Sequence, residues 1–403
     1  MIYKIEIENF RSIRDRQFLD LRAPANAPKG SHRLARCWRD SDERCPKVVA
    51  VFGANGSGKS NLLRSVSFVA WFLSASFGLP PGGRIPLDAF NDAESLDAPT
   101  RVRLWLAWVE DLGVADRTDA DECPYCYEVV IGNGKSQKVI SEAIFFWPTS
   151  TGRKTRLIER FEDGTVKAAM VFGLSGYKGA LEKVLRPNAS VISTLAQLNH
   201  PISVEIAVAA EGIRSNIFIE KMEFAEDVVL RHYIDRPEMV DQFNREISRV
   251  DVGVRALEVR QSNDGPQVWF RHEGLAVPMP PIYESHGTRQ FLRLFPLISD
   301  SLATGGIVII DELDAAVHAM ILPEIVGWFH DPVRNPHNAQ LWMSCHSVSL
   351  LEELSKDEVV FCEKDWRGRT EIYGLNDVKA VRRSDNFYKK YLGGAFGAVP
   401  RIG

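Results

Sequence analysis

Gly53-Ala54-Asn55-Gly56-Ser57-Gly58-Lys59-Ser60 spaces three glycines so that a backbone free of side chains can curl with its N–H groups inward around an anion. A lysine and a hydroxyl follow at once. In that spacing Lys59 would reach the β and γ phosphates of a nucleoside triphosphate and Ser60 would ligate Mg²⁺. The motif lies between the apolar run Lys47 to Phe52 and a helical pattern, so a helix N-terminus would add its positive end beside the phosphates. The expected nucleotide-binding set is Gly53, Asn55, Gly56, Ser57, Gly58, Lys59, Ser60 and Asn61, with ATP and Mg²⁺ as ligands.

Further along, Ile307-Val308-Ile309-Ile310 runs directly into Asp311-Glu312. An apolar strand ending in two carboxylates delivers them to the carboxyl edge of a parallel sheet, where a phosphate loop also lies. There Asp311 would hold Mg²⁺ with Ser60, while Glu312 would orient or deprotonate an attacking water. Ser344-Cys345-His346 follows another apolar run, Leu341 to Met343, and would set an imidazole at the same edge. Glu312, His346 and Lys59 form the expected catalytic set. Ser285, Gly287 and Thr288, in Glu284-Ser285-His286-Gly287-Thr288, stand at a loop-to-helix start where a hydroxyl and bare N–H groups could meet a phosphate, or where the serine merely caps the helix.

This order of motifs resembles the ABC-type ATPase head shared by SMC, RecF and OLD-family proteins. The opening Ile5-Glu6-Ile7-Glu8-Asn9-Phe10-Arg11-Ser12-Ile13, the stretch Asp311 to His318 and the closing Tyr391 to Pro400 are similar to bacterial AAA/ABC ATPases of the RloA and abortive-infection type. The resemblance implies a head-to-head homodimer, possible higher order included, in which Ser285 and Gly287 cap ATP bound by the partner's loop and His346 senses the γ phosphate. Asp314 to His318 would cross toward the partner's site. It also implies an ATP-hydrolysing sensor or regulator in antiphage defence, acting through a separate effector protein, a nuclease by expectation. The rival implications are a RecF/SMC-like DNA repair clamp and a scaffold that binds ATP without turning it over. No TOPRIM or HEPN nuclease motif is expected, since no Asp-x-Asp follows His346 and no Arg-x-x-x-x-His occurs.

The elements that must position these residues fall into four stretches of the 403-residue chain. Residues 1-100 read as the N-terminal part of the head, with a period-2 strand at Ile5 and Ile7 and the phosphate loop. Residues 101-178 alternate as an antiparallel β section, with turn signals at Gly132-Asn133-Gly134 and Asp163-Gly164. Residues 179-250 take helical spacing, as in Met239, Val240, Phe243 and Ile247, and suggest a compact lid that, with the β section, would be the effector's docking surface. Residues 251-403 alternate strands and helices and hold the signature, acidic pair and histidine. The expected fold is α/β, an ABC-type P-loop NTPase head with a central mixed sheet, an antiparallel β section and a helical insertion.

Composition narrows the class further. The balance of 49 basic and 53 acidic residues gives a net charge of −4, which makes no global case for a nucleic-acid binder. Ten basic against five acidic residues between Arg11 and Lys47 leave a local nucleic-acid contact possible. The uncharged stretch Ser65 to Gly83 is interrupted by serines and continues from the phosphate loop, so a buried helix, not a membrane span, is expected. Six cysteines are too few for a disulfide scaffold, and a cytoplasmic location is expected. Cys123-Pro-Tyr-Cys126 with Cys37 and Cys45 has the makings of a four-thiolate zinc site, though isolated thiols are the favoured reading.

Overall fold

The computed structural model describes residues 1–112, 120–134, 137–219, 226–250, 253–263, 265–317 and 320–399. His318 and Pro400, each the last residue of a stretch singled out above, lie outside them. The chain opens with β1 (Ile2–Glu8) and β2 (Gln17–Asp20), then a small hairpin of β3 (Leu34–Arg36) and β4 (Arg44–Pro46). Next come β5 (Val48–Phe52) and α1 (Lys59–Ala75). A meander follows: β6 (Thr100–Val109), β7 (Glu122–Gly132), β8 (Lys138–Phe146), β9 (Thr155–Arg160) and β10 (Val166–Ala168). These five join β1 and β2 in one antiparallel sheet, ordered β10-β9-β8-β7-β6-β1-β2.

Three helices, α2 (Lys178–Val184), α3 (Val191–Gln197) and α4 (Pro201–Glu211), lead into β11 (Ile213–Ser215). After α5 (Glu226–Ile234) and α6 (Pro237–Val250) comes a hairpin of β12 (Val254–Ser262) and β13 (Gly265–His272). The last part alternates: α7 (His286–Thr304), β14 (Ile307–Ile310), α8 (Leu313–Ala316), α9 (Leu322–His330), β15 (Gln340–Ser344), β16 (Val359–Lys364), β17 (Thr370–Gly374) and α10 (Phe387–Leu392). The central sheet is ordered β11-β14-β15-β5-β16-β17. It is mixed: β11 through β16 pair in parallel and β17 returns antiparallel on β16.

Why β5, β14 and β15 are buried at every position, and β5 and β14 apolar throughout, follows from their placement. Side chains alternate across a pleated strand, and here both faces of the sheet are covered. Val49, Val51, Ile309 and Trp342 face a core shared with α1 and the antiparallel sheet. Val48, Ala50, Phe52, Val308, Ile310 and Met343 face a second core built from α5, α6, α7 and α9. The molecule is therefore layered, with α1 clasped between the two sheets. Leu62, Leu63, Val66, Phe68 and Phe72 on α1 are all buried, and Ser65 and Ser76 satisfy their hydroxyls on the Leu62 and Phe72 carbonyls at 2.6 Å each. The expectation of a buried helix after the phosphate loop holds, and among the described residues no helix is long and apolar enough to cross a membrane.

The stretch read as one helical insertion is divided between these layers. Residues of α3 and α4 join the core shared with α1, while α5 and α6 join the opposite core with β12 and β13. Between them β11 pairs in parallel with β14 and extends the central sheet, a strand that helical spacing had hidden. Gln340 fastens one sheet to the other, its side-chain amide donating to the carbonyls of Ile2 (3.0 Å) and Pro46 (2.9 Å) and accepting from Ile2 N–H at 3.0 Å.

Candidate nucleotide-binding site

At the carboxyl end of β5 the chain turns through Gly53 to Gly58 before α1 begins. Two of its glycines are sterically required. Gly53 has φ +149° and Gly58 φ +108°, and a Cβ at these positions would run into the Cys362 carbonyl and the Thr370 side chain. The cradle is thus shaped by β16 and β17 from outside. Thr370 Oγ1 donates to the Ser57 carbonyl at 2.8 Å, and Asn61 reaches Ser12 Oγ at 2.7 Å, so the loop is held from two sides.

Lys59 is buried and folds its ammonium onto the carbonyls of Gly53 (2.9 Å) and Ala54 (3.0 Å). Burial pushes its pKa below the usual lysine range, against the pull of Asp311, Asp314 and Glu312. Ser57 Oγ is buried without a hydrogen-bond partner, while the Ser57 N–H closes the loop on the Ala54 carbonyl at 3.1 Å. A lysine short of counter-charge and an orphaned hydroxyl are what a polyphosphate would complete, so these residues fit ATP.

The acidic pair sits beside this loop. Asp311 Oδ1 accepts from Ser60 Oγ at 3.0 Å and from Ser344 Oγ at 2.6 Å. Asn216, directly after β11, closes the backbone of Asp311 from the other side, donating to its carbonyl (3.2 Å) and accepting from its N–H (2.7 Å). The Ser60 hydroxyl and Asp311 carboxylate are hard oxygen donors held together, a set that suits Mg²⁺ with its remaining positions filled by water and phosphate. Glu312 adopts φ +55°, ψ +55°, a left-handed conformation that is costly for a residue with a Cβ. Its side chain is 43% exposed, and its Oε1 lies 4.0 Å from His346 Nε2. The His346 loop is in turn held by Asp314, whose Oδ2 accepts from the N–H groups of His346 and Ser347 at 2.8 Å each.

A cleft of about 350 Å³ gathers Asn55 to Asn61, Arg64, Glu312, His346 and Lys364. Three strand ends, those of β5, β14 and β15, thereby bring together residues that are up to 291 positions apart. Arg64, Lys364 and Asn216 carry no sequence signal, and Asp314, expected in a segment crossing toward the partner, here holds the His346 loop of its own chain. A more apolar cavity between α1, α4 and β6 carries no acidic or basic side chain and offers no comparable chemistry.

Ser285, Gly287 and Thr288 do not line this cleft. Ser285 is exposed at the start of α7, where its Oγ accepts from Thr288 N–H at 3.1 Å as a helix cap and meets Thr288 Oγ1 at 2.7 Å. The preceding Glu284 is buried against His272 at 2.7 Å. The basic run near the N-terminus is largely neutralised within the fold: Arg14 pairs with Asp92 and Glu94, Arg16 with Glu6, Arg22 with Asp20, and Arg33 with Glu358. Cys123 and Cys126, three positions apart on β7, point to opposite faces, and burial raises both thiols to about 12. Among the described residues no group of three or more histidines, cysteines or carboxylates could hold a metal ion.

No curated protein matches the chain. Among solved structures it is similar to the SMC head bound to the C-winged helix domain of ScpA, at 14% identity over 92% of this chain and 97% of that one, with a TM-score of 0.46. The SMC head domain from Thermotoga maritima matches at 13% identity over 93% of this chain and 98% of that one, TM-score 0.40. A head domain with an extended coiled coil, bound to the C-terminal domain of ScpA derived from Pyrococcus furiosus, matches at 14% identity over 92% and 95%, TM-score 0.44. Residues 191–352, which hold Ser285, Asp311, Glu312 and His346 but not the phosphate loop, match the family described as AAA domain, putative AbiEii toxin, Type IV TA system, and the chain is thus similar to AAA/ABC-type ATPases of the abortive-infection group.

Proposed function

We propose that this chain binds and hydrolyses ATP as a head-to-head dimer and serves as the regulatory subunit of an antiphage system whose damage is done by a separate effector. The observation that carries the ATPase reading is the convergence of Ser60, Ser344 and Asp311 Oδ1 beside the buried ammonium of Lys59. Lys59 and the loop N–H groups bind and orient the triphosphate. Mg²⁺, held by Ser60 and Asp311, supplies charge neutralisation when bound. Glu312 holds the attacking water and takes its proton, and His346, 4.0 Å away, reads the terminal phosphate. Ser285, exposed, and Gly287, partly exposed, lie outside the cleft of their own chain and are available to cap the partner's nucleotide.

The defence role is supported by the matched family's description, which itself names a toxin. Expression of this chain alone therefore separates regulator from toxin. Alone it is expected to give neither toxicity nor phage resistance, whereas resistance with the neighbouring effector gene requires intact Lys59 and Glu312. Glu312→Gln is expected to retain ATP binding while turnover falls at least about a hundredfold, read as phosphate release. Growth arrest from this chain alone would make it the toxin.

A further inference from the structure

The order of the central sheet gives the cleft two sides. Glu312 follows β14 and His346 follows β15, both on one side of β5, whereas Lys364 ends β16 on the other. A triphosphate whose terminal group faces Glu312 and His346 therefore runs across the end of β5, and its nucleoside leaves on the β16 side. That side ends in the turn joining β16 to β17, and the turn is stiff. Asp365 Oδ1 accepts from the N–H groups of Arg367 and Arg369 at 2.9 Å each, Asp365 Oδ2 accepts from Arg369 Nε at 2.7 Å, and Gly368 N–H closes on the Asp365 carbonyl at 3.0 Å. It is also fixed to the phosphate loop, because Thr370, paired with Lys364 across the hairpin, bonds the Ser57 carbonyl.

At the tip of this turn stands Trp366, 80% exposed, the most exposed of the large aromatic side chains among the described residues. The Arg367 guanidinium lies 4.5 Å from its ring centre. A large apolar ring held out in water on a rigid turn gains free energy when a planar group covers its open face. An indole backed by a guanidinium is a stacking surface for a nucleobase.

We propose that Trp366 is the base platform of the nucleotide site, taking one face of the purine of a nucleoside triphosphate while Lys59 and the loop take its phosphates. The inference rests on the nucleotide reading above and adds the part of the ligand that the phosphate loop does not see. Stacking alone reads ring area and not the exocyclic groups, so adenine and guanine are expected to bind alike at this subsite.

The test is calorimetric titration of the full chain with ATP, GTP and inorganic tripolyphosphate, each with Mg²⁺. Trp366→Ala is expected to weaken ATP and GTP about tenfold and to leave tripolyphosphate unchanged, with Trp366→Phe recovering most of the loss. Unchanged ATP affinity in Trp366→Ala, or equal weakening of ATP and tripolyphosphate, overturns the proposal. Lys59→Ala is the separate control: if it leaves ATP binding intact, the nucleotide reading itself fails, whatever Trp366 does.

Discussion

Ser344 donates a 2.6 Å hydrogen bond to Asp311 Oδ1, the same oxygen that Ser60 reaches, and its own oxygen accepts the Glu312 N–H at 2.8 Å. One hydroxyl on β15 thus fixes both acids at the end of β14. Ser344→Ala is expected to loosen them together, lowering kcat about tenfold with KM for ATP little changed, since the phosphate loop is untouched. Steady-state phosphate release against ATP concentration checks this. A rise in KM at constant kcat would place Ser344 in binding instead.

The depressed pKa of Lys59 has a pH consequence of definite sign. The ammonium form is the one that meets phosphate, and burial makes it give up its proton at a lower pH than an ordinary lysine does. As pH rises, the free protein loses that proton first, and ATP binding must then take it up again. ATP affinity is therefore expected to fall toward alkaline pH, with proton uptake on binding. Lys59→Arg, whose charge does not titrate there, is expected to bind ATP more weakly but with a flat pH profile. Titration of ATP in buffers of different ionisation enthalpy reads both effects.

If Ser285 acts on the partner's nucleotide, two dead variants should repair each other. Ser285→Arg spoils only the surface offered to a neighbour, and Glu312→Gln spoils only the chain's own cleft. A heterodimer keeps one whole site, made from the loop and base of the first subunit and the Ser285 of the second. About a quarter of wild-type activity is expected in an equal mixture, because half the dimers are mixed and each has one of two sites. The same mixture with no activity, its heterodimers verified by mass, would mean that each site is self-contained.

The phosphate loop, the acidic pair and His346 were legible because each is a short motif fixed to the end of an apolar strand, and a strand end states where its residue goes. Asn216 was not legible. It follows a three-residue strand lying between helical segments, so the strand was missed and its neighbour with it. Lys364 and Thr370 were missed for another reason: nothing local says that β16 lies beside β5, and only the assembled sheet brings them to the loop. The left-handed backbone of Glu312 has no sequence signal either, since glycine or asparagine is what that conformation ordinarily selects. Ser285 kept both of its readings, as it caps α7 while staying exposed.

The position of β5 also governs when this protein can begin to work. Its neighbours in the sheet are β15 and β16, so the strand that carries the phosphate loop has no hydrogen-bonded partner until the ribosome has made most of the chain. A nascent or truncated product holding every loop residue lacks the floor beneath them. The loop's cradle is therefore completed late in synthesis and in one step, when β15 and β16 close on either side of β5.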